Sequence, residues 1–277
     1  MSCQVLIQGW LMDIDIYQVD SFTLEPFKGN PAGVCIMERS LDETMMFAIA
    51  AEMAVSETAF LSLEDMRLRW FTPKVEVELC GHGTLAVAHI LKENGLVAVG
   101  EELSFNTLSD VLLVKVEDQY IELDFPAPII DVEIGPSIEM LNSLGIRSDQ
   151  VVSSGIFDSK ILIEIDSEAD LLSLNPNFDS LKALPGRGVL VTVKSILNSI
   201  DFKSRYFAPW VGVNEDPVTG SAHCALAVHW GRTFNKSRLK GYQASDRGGF
   251  VEVELLPNQR VKLIGNAVTV IKGTMSV

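Results

Sequence analysis

Arg69–Val77 reads R-W-F-T-P-K-V-E-V, and 136 residues further on Arg205–Val213 reads R-Y-F-A-P-W-V-G-V. Each nonapeptide leads through a short polar link into a segment that opens on glycine. The first is Cys80-Gly81-His82-Gly83-Thr84 running into LAVAHILKEN. The second is Thr219-Gly220-Ser221-Ala222-His223 running into CALAVHWGRTF. The offset grows to 139 at the glycines, and there Ala86 meets Ala225 and Ala88 meets Ala227. Self-similarity at so large a period is the signature of a duplicated domain. The repeated unit is a strand, a turn and a helix start.

A helix start leaves backbone N–H groups unpaired and carries partial positive charge. Glycine there lets a ligand approach the main chain. Two such starts, one per half, can face each other and cradle a small anion such as a carboxylate. The bland alternative is that each glycine only allows tight helix–strand packing; the matched pair favours the cradle.

The chain of 277 residues is long enough for two well-buried cores. With 22 Lys+Arg against 37 Asp+Glu its net charge is −15, which argues against nucleic acid or an anionic membrane surface as partner. An anionic substrate would then be held locally, by helix ends. No apolar run approaches membrane-helix length. The N-terminus has no Lys or Arg before Lys28, unlike a signal or transit peptide. Residues 1–11 are expected to lie outside the fold, because Met12 stands just before the first clear strand pattern.

Cys3, Cys35, Cys80 and Cys224 form no C-x-x-C, which suits a reducing, cytoplasmic setting. His82, His89, His223 and His229 lack metal-ligand spacing, and neither a GxGxxG nor a phosphate-loop pattern is present. No metal and no cofactor are therefore expected.

Alternation or apolar runs predict strands at 13–20, 33–37, 58–63, 67–71, 103–106, 111–116 and 120–125 in the first half. In the second half they fall at 151–154, 161–165, 188–193, 201–207, 249–255, 260–264 and 267–272. Gly29-Asn30-Pro31 reads as a turn. Helical spacing begins at Leu41 and recurs near 138–144 and 169–174. Two central helices are expected at 81–94 and 220–234, the first apolar almost all round and hence buried with sheet about it. Pro126-Ala127-Pro128 is read as the boundary. The halves are then 12–126, with the last strand at about 266–277, and 127–265.

Five residues could carry chemistry. Glu57 lies where a helix hands over to a strand; facing a cleft it would be a general acid or base, facing water only a solvated carboxylate. His82, second in its helix start, could bind a carboxylate, relay a proton or cap the helix. Asp216 could cap loop N–H groups or act as an opposing acid. Ser221 could hydrogen-bond an anion or cap its own helix. Cys80 could be a thiolate activated by a helix start. The remaining helical Cys and His residues read as core or surface.

The segments Gly29-Asn30-Pro31, Ser56-Glu57-Thr58, Cys80-Gly81-His82 and Glu215-Asp216-Pro217-Val218-Thr219-Gly220-Ser221 resemble the hallmark segments of the PhzF-like, phenazine-biosynthesis-type isomerases, in order and over the chain from Met12. The last is highly specific; the Gly-Asn-Pro turn alone is not. The resemblance implies a diaminopimelate-epimerase-like α+β fold. Its two pseudo-symmetric domains are each a curved, mostly antiparallel sheet around a central helix, with the active site between them.

It further implies a cytoplasmic, homodimeric, cofactor-independent isomerase of a small carboxylated metabolite. Glu57 would be the acid/base, with His82 and Asp216 assisting. Asn30, Ser56, Cys80, Gly81, Gly220 and Ser221 would contact substrate. Two-thiol racemases of the wider superfamily place a cysteine before each helix-opening glycine. Here the position matching Cys80 is Thr219, which is not a workable carbon base. A racemase using Cys80 with a non-cysteine partner and a non-enzymatic binding protein on the same fold are the rival readings.

Overall fold

The computed structural model describes residues 12–277, so the expectation for residues 1–11 lies outside the described chain. The first half contains β1 (Asp13–Ser21), β2 (Asn30–Met37), α1 (Glu43–Met53), β3 (Glu57–Ser62), β4 (Arg67–Phe71), β5 (Glu76–Val77), α2 (Gly81–Glu93), β6 (Glu102–Asn106), β7 (Val111–Val116) and β8 (Ile121–Pro126). The second contains α3 (Ile138–Leu144), β9 (Val151–Phe157), β10 (Lys160–Ile165), α4 (Glu168–Ser173), α5 (Phe178–Lys182), β11 (Val189–Lys194), β12 (Phe202–Ala208), β13 (Val213–Glu215), α6 (Gly220–Phe234), β14 (Arg238–Gln243), β15 (Gly249–Leu256) and β16 (Arg260–Gly265), and the chain then returns to the first half with β17 (Ala267–Ser276). The molecule is thus α+β and dominated by sheet.

The two halves repeat one pairing pattern. β1–β2 is antiparallel, β2–β3 parallel, β3–β4 antiparallel, β4–β6 parallel, and β6–β7 and β7–β8 antiparallel. β9–β10, β10–β11, β11–β12, β12–β14, β14–β15 and β15–β16 follow the same order of senses. β8 pairs with β16 and joins the halves, while β17 lies along β1.

The repeated R-[WY]-F segment occupies β4 and β12, and alternation along each strand explains it. Trp70 and Tyr206 point inward to the central core; Phe71 and Phe207 point outward under α1 and under α3–α5. The arginines also face outward. Arg69 makes a bidentate pair with Glu76 (both bonds 2.6 Å), and Arg205 makes the same pair with Glu215 (both 2.7 Å). Each guanidinium lies over its own phenylalanine, 4.9 Å from Phe71 and 5.0 Å from Phe207. The pairs pin β5 to β4 and β13 to β12, and so fix the links that deliver the two helix starts.

The central core surrounds α2 and α6. Leu85, Ala86, Val87, Ala88 and Ile90 of α2, and Ala222, Ala225, Leu226 and Ala227 of α6, have no exposed surface. The small residues let the sheet close tightly about each helix. α2 ends at Glu93, capped by Asn94, with Gly95 in the left-handed region (φ 69°) as the stop its sequence predicts.

Three expectations need correction. Asn30 and Pro31 are not turn residues but the first two of β2; the turn itself ends at Gly29, whose φ is 65°. A Cβ there would sit 2.1 Å from the Ser21 carbonyl oxygen, so glycine is required. The helix expected from Leu41 starts at Glu43, because Asp42 accepts a bond from the Met45 N–H and caps it. β14 was unforeseen. Its inward residues are Leu239, Gly241 and Gln243, which do not read as an apolar face. Gly241 is there because a Cβ would come within 2.3 Å of the Phe202 ring.

Candidate active site

The two helix starts meet. A Cβ built on Gly81 would lie 3.6 Å from the Gly220 Cα, and one on Gly220 would lie 3.5 Å from the Gly81 Cα. Cys80 and Thr219 are the respective N-caps, and neither side chain caps its helix, so the first N–H groups of both are left to other partners.

Around this junction the structure brings together residues far apart in sequence. Glu57 opens β3, and its Oε2 is 3.4 Å from His82 Nε2. His82 Nδ1 faces Asn30 Nδ2 at 3.4 Å and Cys80 Sγ at 3.5 Å. An amide nitrogen only donates, so this contact favours the tautomer whose Nε2–H points at Glu57. The backbone of His82 is anchored in turn, its carbonyl accepting from Ser21 Oγ at 2.7 Å.

Asn30 spans the halves. Its Nδ2 donates to Asp216 Oδ1 at 2.9 Å and to the Val218 carbonyl at 2.8 Å. Asn30 Oδ1 and Ser56 Oγ are buried with no partner among the described residues. Buried polar atoms left unpaired beside a cluster of titratable groups are atoms that a ligand can satisfy. The turn that precedes Asn30 is held by Arg247, which pairs with the fully buried Asp20 (2.7 Å) and donates to the Gly29 carbonyl (2.8 Å).

Asp216 organises the second start. Its Oδ2 accepts from Thr219 Oγ1 at 2.5 Å, and its N–H donates to the Tyr206 carbonyl at 3.0 Å. Burial pushes its carboxyl up to about 6, with Glu57 adding to the rise and His82, Thr219 and Asn30 opposing it. Gln243, missed in the sequence, completes the frame: its Oε1 accepts from the Thr219 N–H (2.9 Å) and its Nε2 donates to the Asp216 carbonyl (2.6 Å). No pattern around R-L-K-G-Y-Q marks it; only tertiary pairing places it there.

Of the roles open to Cys80, the structure does not favour an activated thiolate. Burial first, and then the charge of Glu57, hold its thiol well above the ordinary value, against a helix start and a bond from Gly83 that act the other way. It is a neutral thiol packed on His82. Ser221 is not tied to its own helix; its Oγ accepts from Lys160 Nζ at 3.0 Å. Of the other helical Cys and His residues, Cys224 is buried with its thiol pushed up to about 12, and His223 is buried and neutral, its value driven down to about 4.

Ligand atoms of Glu57, Cys80 and His82 all lie within 4.8 Å of one another, so this set could hold a metal ion, which their sequence spacing did not suggest. A cavity of about 320 Å³ lies elsewhere, in the second half, lined by Ile146, Arg147, Gln150 and Asp170 among others. There Gln150 Nε2 already donates to Asp170 Oδ2 at 2.6 Å.

A sequence model described as phenazine biosynthesis-like protein, PhzC-PhzF, matches residues 19–273. The chain belongs to this family. An uncharacterized isomerase of Halalkalibacterium halodurans is 47% identical over 267 residues, covering 96% of this chain and 99% of the relative. A PhzF-family crystal structure from Enterococcus faecalis superposes with a TM-score of 0.88 at 39% identity, covering 96% of this chain and all of the other. A hydroxyproline epimerase from Agrobacterium vitis shares the fold alone, with a TM-score of 0.62 at 11% identity over 97% of this chain and 94% of that one. The protein is an isomerase of this PhzF-like group. Among the described residues no helix is long and apolar enough to cross a membrane.

Proposed function

We propose that the protein isomerises a small carboxylated metabolite by cofactor-independent proton transfer, with Glu57 as the acid/base. The observation that carries this reading is the Glu57–His82 contact set at two facing helix starts and tied through Asn30 to Asp216. The substrate carboxylate sits between Gly81-His82 and Gly220-Ser221, where unpaired N–H groups and helix dipoles converge. Glu57 takes a proton from an adjacent, activated carbon. The negative charge that develops is met by the same N–H groups and by His82 Nε2–H. Glu57 then returns the proton at another carbon.

Ser56 and Asn30, each with an unpaired buried oxygen, complete the contacts to substrate. A racemase built on Cys80 is disfavoured, since the thiol is held neutral and Thr219 stands opposite. The reading takes the enzyme as cytoplasmic, in keeping with the unpaired, buried Cys35, Cys80 and Cys224. It takes it also as a homodimer, for which exposed Ile129, Val132 and Ile134 offer apolar surface. Incubating candidate carboxylates with the enzyme in deuterated water tests the chemistry. Deuterium at a new carbon is expected; label exchanged only in place, with inversion, would point to the racemase, and inertness of a wide panel to a binding protein.

A further inference from the structure

The site is not symmetric, although its scaffold is. Phe71 pairs with Thr58 and Phe207 with Val189, so the residues before them, Glu57 and Gly188, are equivalent in the two halves. Where the first half presents a carboxylate, the second presents no side chain. The space is filled by Tyr206, whose hydroxyl would lie 2.1 Å from a Cβ on Gly188.

Next to Gly188 the second half presents cations. The Ile161 N–H donates to the Gly188 carbonyl at 2.9 Å, which sets the starts of β10 and β11 side by side and with them Lys160 and Arg187. Lys160 reaches over to α6, its Nζ donating to Ser221 Oγ. Lys160 is partly buried, and neither it nor Arg187 makes an ion pair among the described residues, in a chain of net charge −15. The half-buried Lys160 ammonium lies 5.4 Å over the Phe157 ring and feels Asp158 without pairing with it, so an anion that pairs with it directly recovers part of the cost of burial. Burial accordingly lowers the Lys160 pKa, with Arg187 adding to the effect and Asp158 opposing it.

We propose that the substrate carries two acidic groups, one in the paired helix starts and a second received by Lys160 and Arg187 on the side opposite Glu57. The inference rests on the reading of the site given above and deepens it. A dianionic substrate is then gripped at the axis and at one end, which leaves only its other end beneath Glu57. The cations thereby select both the substrate class and its orientation.

Calorimetric titration of the full-length protein with benzoate and with isophthalate, rings bearing one and two carboxylates, tests this. Wild type should bind isophthalate about tenfold more tightly, the scale of one charge-assisted contact. Lys160→Met should bring isophthalate to within about twofold of benzoate, any loss through the freed Ser221 hydroxyl falling on both rings alike and cancelling in the ratio; Lys160→Arg should keep most of the preference, and Arg187→Met should weaken it. Circular dichroism of each variant separates misfolding from lost recognition. Equal affinity for the two rings in wild type, or a preference that survives Lys160→Met, overturns the inference while benzoate binding leaves the cradle intact. Binding of neither ring counts against both.

Discussion

Glu57 and Gly188 stand at equivalent places in the two halves, and only one of them can move a proton. The scaffold supplies two facing helix starts; the strand preceding each link supplies the difference. In the proposed function the duplicated fold works with one base, the carboxylate on one side and Tyr206, Lys160 and Arg187 on the other.

The first test of that asymmetry is Glu57→Gln. The amide keeps the shape and the contact to His82 Nε2 but cannot accept a proton from carbon. Turnover should fall by about 10²–10⁴-fold with substrate-induced thermal stabilisation retained. Turnover within a few-fold of wild type would remove Glu57 from the mechanism.

Cys80→Ala should keep most of the turnover, because a thiol held neutral by burial and by Glu57 is neither base nor nucleophile near pH 7. A thiol racemase would lose several orders of magnitude with its fold intact. Steady-state rates and a melting curve on the same preparation decide between them.

Asp216 gives a pH signature. Its carboxyl is raised from 3.8 to about 6 in the folded protein. A raised value means that the folded state prefers the protonated form, so the stability from this group is present below about 4 and is lost as pH rises towards 6. The loss is about 3 kcal/mol, at 1.36 kcal/mol per unit. Asp216→Asn does not ionise there, so its stability relative to wild type should improve between pH 4 and 6 and level off above. Urea melts at four pH values measure this; a difference independent of pH contradicts the assignment. Turnover of the variant should fall together with binding, because the Asn30 and Thr219 contacts that aim the second helix start are weakened.

Gly188→Ala should destabilise the protein by about 1–3 kcal/mol, since the added methyl enters the space of the Tyr206 hydroxyl. Combining it with Tyr206→Phe removes the 2.1 Å contact but leaves ring carbon Cζ at 2.6 Å, so it should recover only part of the loss. Chemical denaturation of the single and double variants is the check, and a neutral Gly188→Ala would show that Tyr206 is free to move away.

The sequence by itself determined the duplication, the two central helices and most of the strands. Those rest on signals local to a segment: inward and outward alternation in R-[WY]-F, glycine at a helix start, an apolar helix surface. It also marked Asn30, Glu57, His82 and Asp216 through the family resemblance, and the structure draws these four into one cluster. Tertiary structure alone decided what depends on neighbours from distant strands. β14 and its Gln243 were invisible because Gly241 and Gln243 face inward without being apolar; the Phe202 ring and the Thr219 amide give them their reasons. The state of Cys80, open in the sequence, follows from burial outweighing a helix dipole, and burial is a property of the packed whole. Lys160 carried no mark in K-I-L-I-E-I. It became part of the site only when β10 came to lie beside β11 and its ammonium reached Ser221, 61 residues away along the chain.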